Sequence, residues 1–176
     1  VVEETVKFLK SSIPSTIKIK TKILSDSFIM GSSTQVHQLL MNLCTNAAHS
    51  MEETGGTIGI NLKDTEFNAI NKSPGLPPGQ YIEIRVSDTG KGIDPANIQT
   101  IFEPYFTTKP MGEGTGMGLA VVHGIVESYG GKIIVESIPG MGATFTVYLP
   151  ITRKRKTGTR CEEMSLPTGT EKILFI

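Results

Sequence analysis

Residues 88–119 read DTGKGIDPANIQTIFEPYFTTKPMGEGTGMGL and hold two glycine-rich loops. Asp88, Gly90 and Gly92 form the first; Gly112, Gly114, Gly116 and Gly118 form the second. Pro95, Pro104 and Pro110 break the polar stretch between them, which carries no steady apolar period. Glycines this dense make a floppy tether or let a backbone approach a ligand closely. Strongly apolar, patterned sequence abuts both loops, which favours the ligand. The remaining chain reads as scaffold and partners for this segment.

The scaffold can be followed in order. Apolar residues at Val1, Val2, Val6, Phe8 and Leu9 predict the end of an amphipathic helix that stops before Pro14. Ile17, Ile19 and Ile23 alternate with lysines, the period of a half-buried strand. From Ser33 or Thr34, either able to cap a helix, the period becomes helical through Val36, Leu39, Leu40, Leu43, Ala47 and Met51. Gly55-Gly56 is expected to end that helix. Ile58, Ile60 and Leu62 predict a strand, residues 64–79 a hairpin loop, and Ile82, Ile84 and Val86 a strand that delivers Asp88. Residues 116–129 resume a helical period, and KIIVES and ATFTVYL read as a closing pair of strands.

Asn42 and Asn46 stand one turn apart on the long helix, so they share a face. Asparagine prefers caps to helix interiors. The pair is either exposed with local hydrogen bonds or turned toward a polar ligand or metal, and spacing alone leaves both open.

Composition narrows the ligand. The 176 residues, 38% apolar and 19% charged, suit one globular domain with a real core. Seventeen basic residues balance seventeen acidic ones, so no basic field points to nucleic acid. The one basic run, Arg153 to Lys156 followed by Arg160, reads as a solvated linker. Cys44 falls in the helical pattern and Cys161 in a polar tail; neither has metal-ligand spacing. A reducing, cytoplasmic compartment is the simplest expectation. No long apolar run or signal peptide is present, and no direct membrane contact is expected of these residues. The abrupt opening VVEETVKFL and the closing ILFI are expected to be cuts through a longer protein.

The second loop, GEGTGMGL, runs into a helix, where exposed backbone N–H groups suit a polyphosphate. It lacks the Gly-Lys-Ser/Thr of a P-loop. It follows FTTKPMGE, a poor strand, which disfavours a dinucleotide fold. DTGKGID lacks the ligands of a calcium loop. What remains is a nucleotide held between the two loops. Asp88 would accept a hydrogen bond from an exocyclic amine, which suits adenine. Gly90 and Gly92 would let the base lie near the backbone. Asn46 would offer a neutral oxygen to magnesium bridging the phosphates, with Asn42 one turn away.

These residues match a family. QVHQLLMNLCTNAAHSM resembles the N box of sensor histidine kinases, VSDTGKGID the G1 box, IFEPYFTTK the F box, GEGTGMGLAVVHGIVESYGG the G2 box and GMGATFTVYLP the G3 box. All occur in the family's order across roughly residues 33–150. The chain resembles the catalytic, ATP-binding domain of a bacterial two-component histidine kinase, within the gyrase, heat-shock-chaperone and MutL ATPase superfamily. The resemblance implies an α/β two-layer sandwich of the Bergerat type: a mixed, mostly antiparallel sheet with helices on one face. It implies ATP and Mg2+ as ligands. Asp88 would be the adenine-reading carboxylate, with Gly90, Gly92 and Ile93 shaping the base pocket and Thr144 reaching the adenine side. Gly114, Thr115, Gly116, Met117, Gly118 and Leu119 would line the phosphates. Asn46 would be the magnesium ligand and Asn42 its polar partner. Residues 95–115 would be an ATP lid anchored by Phe102 and Phe106, with Lys109 placed to touch the terminal phosphate.

The resemblance also implies partners: a histidine-bearing dimerisation domain and a response-regulator receiver domain. The three histidines here, His37, His49 and His123, lie in the N box and on the G2 helix, so none is the phosphoryl acceptor. His49 is nearest the site but is read as non-essential. ATP-hydrolysing relatives carry a glutamate where Asn42 stands. Asparagine cannot take a proton near neutral pH, so transfer is preferred to hydrolysis. A hydrolysing ATPase of the same fold and a degenerate docking module are the alternatives. Domain expectations are residues 1–14 as the end of a preceding helix and linker, 15–150 as the catalytic domain, and 151–170 as a linker. Residues 171–176, EKILFI, resemble the opening of a receiver domain, as in a hybrid kinase.

Overall fold

The computed structural model describes residues 1–68, 75–109 and 114–152. Three helices and five strands follow in the order α1 (Val2–Ser12), β1 (Ile17–Ile23), α2 (Ser33–His49), β2 (Gly56–Phe67), β3 (Gly79–Asp88), α3 (Gly118–Ser128), β4 (Lys132–Ile138) and β5 (Gly142–Pro150). A short 3-10 turn, Pro95–Asn97, is capped by Asp94, whose carboxylate accepts from Ala96 N–H.

The strands form one sheet in the order β1-β2-β3-β5-β4. β1 pairs with β2 in parallel, Ile17 opposite Gly56. A parallel neighbour needs a crossover, and α2 supplies it. The other three pairings are antiparallel. The sheet is therefore mixed and mostly antiparallel, as expected.

Alternation decides which face is covered. Ile58, Ile60 and Leu62 of β2, Ile82, Ile84 and Val86 of β3, and Phe145, Val147 and Leu149 of β5 all enter one core. The apolar stripe of α2 meets them: Leu39, Leu40, Leu43 and Cys44 are at most 1% exposed. Val122, Ile125 and Val126 of α3 join the same core. Each such side chain contributes about 1.5–3 kcal/mol when fully buried. Burial also pushes the Cys44 thiol up to about 12. α1 adds Val6 and Leu9, and its buried Thr5 hydroxyl meets Nδ1 of His37 at 2.9 Å.

Four boundaries differ from expectation. β2 runs to Phe67, through residues 64–67 that read as loop. Its polar end is held on the sheet's other face, where Phe67 packs on Tyr81 at 5.5 Å and on Tyr148 at 5.2 Å. Ser32, not Ser33 or Thr34, stands at the start of α2, with no side-chain cap bond. α2 stops at His49, ahead of Gly55-Gly56. α3 begins at Gly118 rather than 116, because Gly116 adopts φ +65°, outside the right-handed helical region.

Candidate functional site

β3 alternates between core and solvent until its last residue, Asp88, which falls on the core side where the helical layer ends. Asp88 is 9% exposed. Three donors from three elements converge on one of its oxygens. The N–H of Gly90 donates to Oδ1 at 2.8 Å, the hydroxyl of Ser50 at 3.0 Å and the N–H of Ala143 at 3.3 Å. Oδ2 makes no hydrogen bond among the described residues, and Asp88 lines a cavity of about 780 Å³. No buried side-chain oxygen or nitrogen among the described residues lacks a partner, so Oδ2 is open to the cavity, where a ligand donor can reach it.

Opposite, α2 turns Asn42 and Asn46 into the same cavity. Neither carboxamide has a hydrogen-bond partner among the described residues, which favours the ligand-facing reading. Gly118 opens α3 directly over them: a Cβ there would stand 3.7 Å from Asn42 Oδ1 and 3.7 Å from Asn46 Nδ2. The first intrahelical bond of α3 runs from Val121 N–H to Met117 O, at 2.9 Å. The N–H groups of Gly118, Leu119 and Ala120 therefore have no partner within the helix, and they carry the positive end of its dipole. That end suits anionic oxygens.

The loop entering α3 is pinned at Gly116. A Cβ there would lie 2.4 Å from the carbonyl carbon of Tyr105, and Tyr105 N–H donates to Gly116 O at 3.1 Å. Tyr105 itself adopts φ +66°, which is uncommon for a residue with a side chain. Phe102 and Phe106 both pack against the core; Phe102 also lies 5.4 Å from the His123 ring, and Phe106 reaches the cavity. Lys109 lines the cavity, with its ammonium in direct contact with His49 Nδ1. Burial and then the Lys109 charge push the His49 imidazole below its ordinary value, with Glu52 opposing.

Of the residues expected at the site, Asn42, Asn46, Asp88, Gly92, Ile93, Lys109, Gly114, Thr115, Gly116, Gly118 and Leu119 share this one cavity. Gly90 lies beneath Asp88 as a donor rather than in the wall. Met117 stands at the N-terminal cap of α3 and is 39% exposed, outside the wall. Thr144 does not reach the cavity. It sits opposite Ser87 and Glu136, on the sheet face away from the helices. Its neighbour Ala143 is the residue that lines the cavity. A strand turns successive side chains to opposite faces, so a one-residue offset moves the assignment across the sheet.

Ser50 was not anticipated. Its signal is that Asn42, Asn46 and Ser50 recur every four residues, one stripe along α2 and its end. Among the described residues no cluster of three His, Cys, Asp or Glu could hold a metal. The carboxamide oxygens of Asn42 and Asn46 are neutral oxygens that α2 offers this cavity.

Residues 31–153 match the family described as histidine kinase-, DNA gyrase B- and HSP90-like ATPase. The chain belongs to that family. It is 42% identical over 119 residues to the sensor histidine kinase ZraS of Salmonella typhimurium, covering 68% of this chain and 22% of ZraS. It is 41% identical over 118 residues to the sensor kinase CckA of Brucella abortus, covering 66% of this chain and 12% of CckA. The chain thus spans about a fifth and about an eighth of those relatives. The catalytic domain of the histidine kinase ThkA superposes with a TM-score of 0.66 at 28% identity, covering 85% of this chain and 89% of that one. The fold is that of histidine kinase catalytic domains.

Proposed function

We propose that the chain binds ATP with magnesium and presents its terminal phosphoryl group to a histidine on a separate dimerisation domain of the same protein. The observation that carries this reading is the polarity of one cavity. A carboxylate oxygen without a partner among the described residues lies at one end. Two carboxamides and the start of α3 lie at the other.

Asp88 Oδ2 accepts the exocyclic amine of adenine, with Gly92 and Ile93 along the base. Backbone N–H groups of Gly114, Thr115, Gly116, Gly118 and Leu119 surround the phosphates, with Met117 between them at the cap. Asn46 would hold magnesium, with Asn42 beside it. Magnesium, when bound, supplies charge neutralisation. The residues position the nucleotide, and Lys109 meets developing negative charge on the terminal phosphate. Asn42 has no basic site with which to activate water, which favours transfer over hydrolysis.

Residues 15–150 form the catalytic unit in this reading, and α1 ahead of them packs Val6 and Leu9 into the same core. Residues 151–170 would be a linker and 171–176 the start of a receiver domain, as in a hybrid kinase. All but residues 151 and 152 of these last two segments lie outside the described residues. The receiver domain of a response regulator would be the next partner, in the cytoplasm. Among the described residues no helix is long and apolar enough to cross a membrane.

Calorimetry with a non-hydrolysable ATP analogue tests the base pocket: Asp88→Asn abolishes binding, and unchanged affinity would refute it. Radiolabelled ATP plus an added histidine-bearing dimerisation domain tests the transfer: label appears on that domain. Sustained phosphate release by the chain alone, lost in Asn46→Ala, would favour an ATPase instead.

A further inference from the structure

We propose that Ser50 is a positioning residue for base recognition: its hydroxyl fixes the Asp88 carboxylate so that Oδ2 faces the nucleotide base. This rests on the reading of Asp88 as the adenine acceptor. Ser50 stands at the C-terminal cap of α2, where the helix meets the loop that follows β3. Its carbonyl accepts from Lys91 N–H at 3.2 Å, and a Cβ at Gly90 would lie 2.0 Å from its Oγ. Ser50 is therefore wedged against Gly90 and Lys91, just beyond β3's last core position.

The Ser50 hydroxyl has one proton and two acceptors within reach, Ala47 O at 2.8 Å and Asp88 Oδ1 at 3.0 Å. A carboxylate is the stronger acceptor, because an ionised partner roughly doubles a hydrogen bond. The proton thus goes to Asp88. The other two donors to Oδ1, Gly90 N–H and Ala143 N–H, are backbone groups. Ser50 is the side-chain donor of the set, and it comes from the helix that also bears Asn42 and Asn46. It couples the orientation of the base-reading carboxylate to the phosphate end of the cavity. Preorganised polar groups discriminate because a wrong ligand leaves them unpaired.

The test compares ATP with purine riboside triphosphate, which lacks the exocyclic amine, by calorimetry on the full chain with magnesium. Ser50→Ala should weaken ATP about three- to tenfold, less than the full loss of a hydrogen bond to a charged group, because Gly90 N–H and Ala143 N–H still hold Oδ1. The analogue should be unaffected, so the preference for ATP narrows by the same factor. Alanine is the better helix former, and an unchanged melting midpoint is expected. Equal weakening of both nucleotides would mark Ser50 as merely structural and overturn the proposal, as would an unchanged preference. Asp88→Asn separates the two levels. If it leaves the preference intact, the adenine reading itself fails. If it abolishes ATP binding while Ser50→Ala leaves the preference whole, only the role of Ser50 falls.

Discussion

Gly118, the first residue of α3, lies against Asn46 of α2: a Cβ at Gly118 would stand 3.7 Å from Asn46 Nδ2. That distance is ordinary contact, so the fold has room for a methyl group. The proposed phosphate site does not. Gly118→Ala should leave the melting midpoint unchanged or raise it, since alanine exceeds glycine in helix propensity by up to about 1 kcal/mol. The same methyl would crowd phosphate oxygens between the helix start and the carboxamides. Affinity for an ATP analogue should fall by about tenfold or more, which is about 1.4 kcal/mol. A melt and a calorimetric titration on one preparation check both halves; a gain in stability with unchanged affinity would move the phosphates elsewhere.

Asn46 should matter chiefly when magnesium is present. In the proposed reading the carboxamide oxygen is the protein's own contribution to the cation. Asn46→Ala should weaken analogue binding roughly tenfold or more in magnesium, as for loss of one bond to a charged group. In chelator the loss should be much smaller. Equal losses in both conditions would assign Asn46 to phosphate or packing rather than to the cation.

Periodicity puts Asn42 and Asn46 on one helix face, although spacing alone leaves open whether that face meets a ligand. Asn42 and Asn46 lie one turn apart in a clear helical pattern, and Asp88 ends a clean alternation just ahead of two glycines. Such signals are local. What escaped is set by contacts between distant segments. The polar end of β2 is held by Phe67 against Tyr81 and Tyr148, which no window around residue 67 contains. The parallel pairing of β1 with β2 joins segments on either side of α2. Thr144 was assigned to the cavity that Ala143 lines, because the G3 sequence alone does not fix which face of β5 looks inward. Ser50 escaped because its acceptor, Asp88, is 38 positions away.

Cys44 should behave as a core residue rather than a reactive thiol. It is fully buried and its ionisation is pushed up to about 12. A thiol needs its ionised form to attack a disulfide reagent. In a Cys161→Ser chain, used because Cys161 lies outside the described residues, Ellman's reagent near pH 8 should release no colour from the folded protein. One equivalent should appear on adding denaturant. Rapid labelling without denaturant would mean that α2 opens locally from the sheet.

His49 should titrate below a free imidazole, and in a defined direction. Burial disfavours its charged form first, the Lys109 ammonium adds to that, and Glu52 partly opposes both. Lys109 can donate to Nδ1 only while the imidazole is neutral at that nitrogen. The stabilising contribution is therefore complete above the unfolded-state value of about 6.5. It is lost as pH falls through the lower folded-state value, where protonation sets two cations against each other. Solvent screens this exposed pair, so the effect on global stability should be well under about 1 kcal/mol. The sharper measurement is an NMR titration of the ring proton. His49 should titrate below about 6.5, and Lys109→Ala should move it upward without removing the burial contribution. No movement in that variant would mean that Lys109 and His49 are apart in solution.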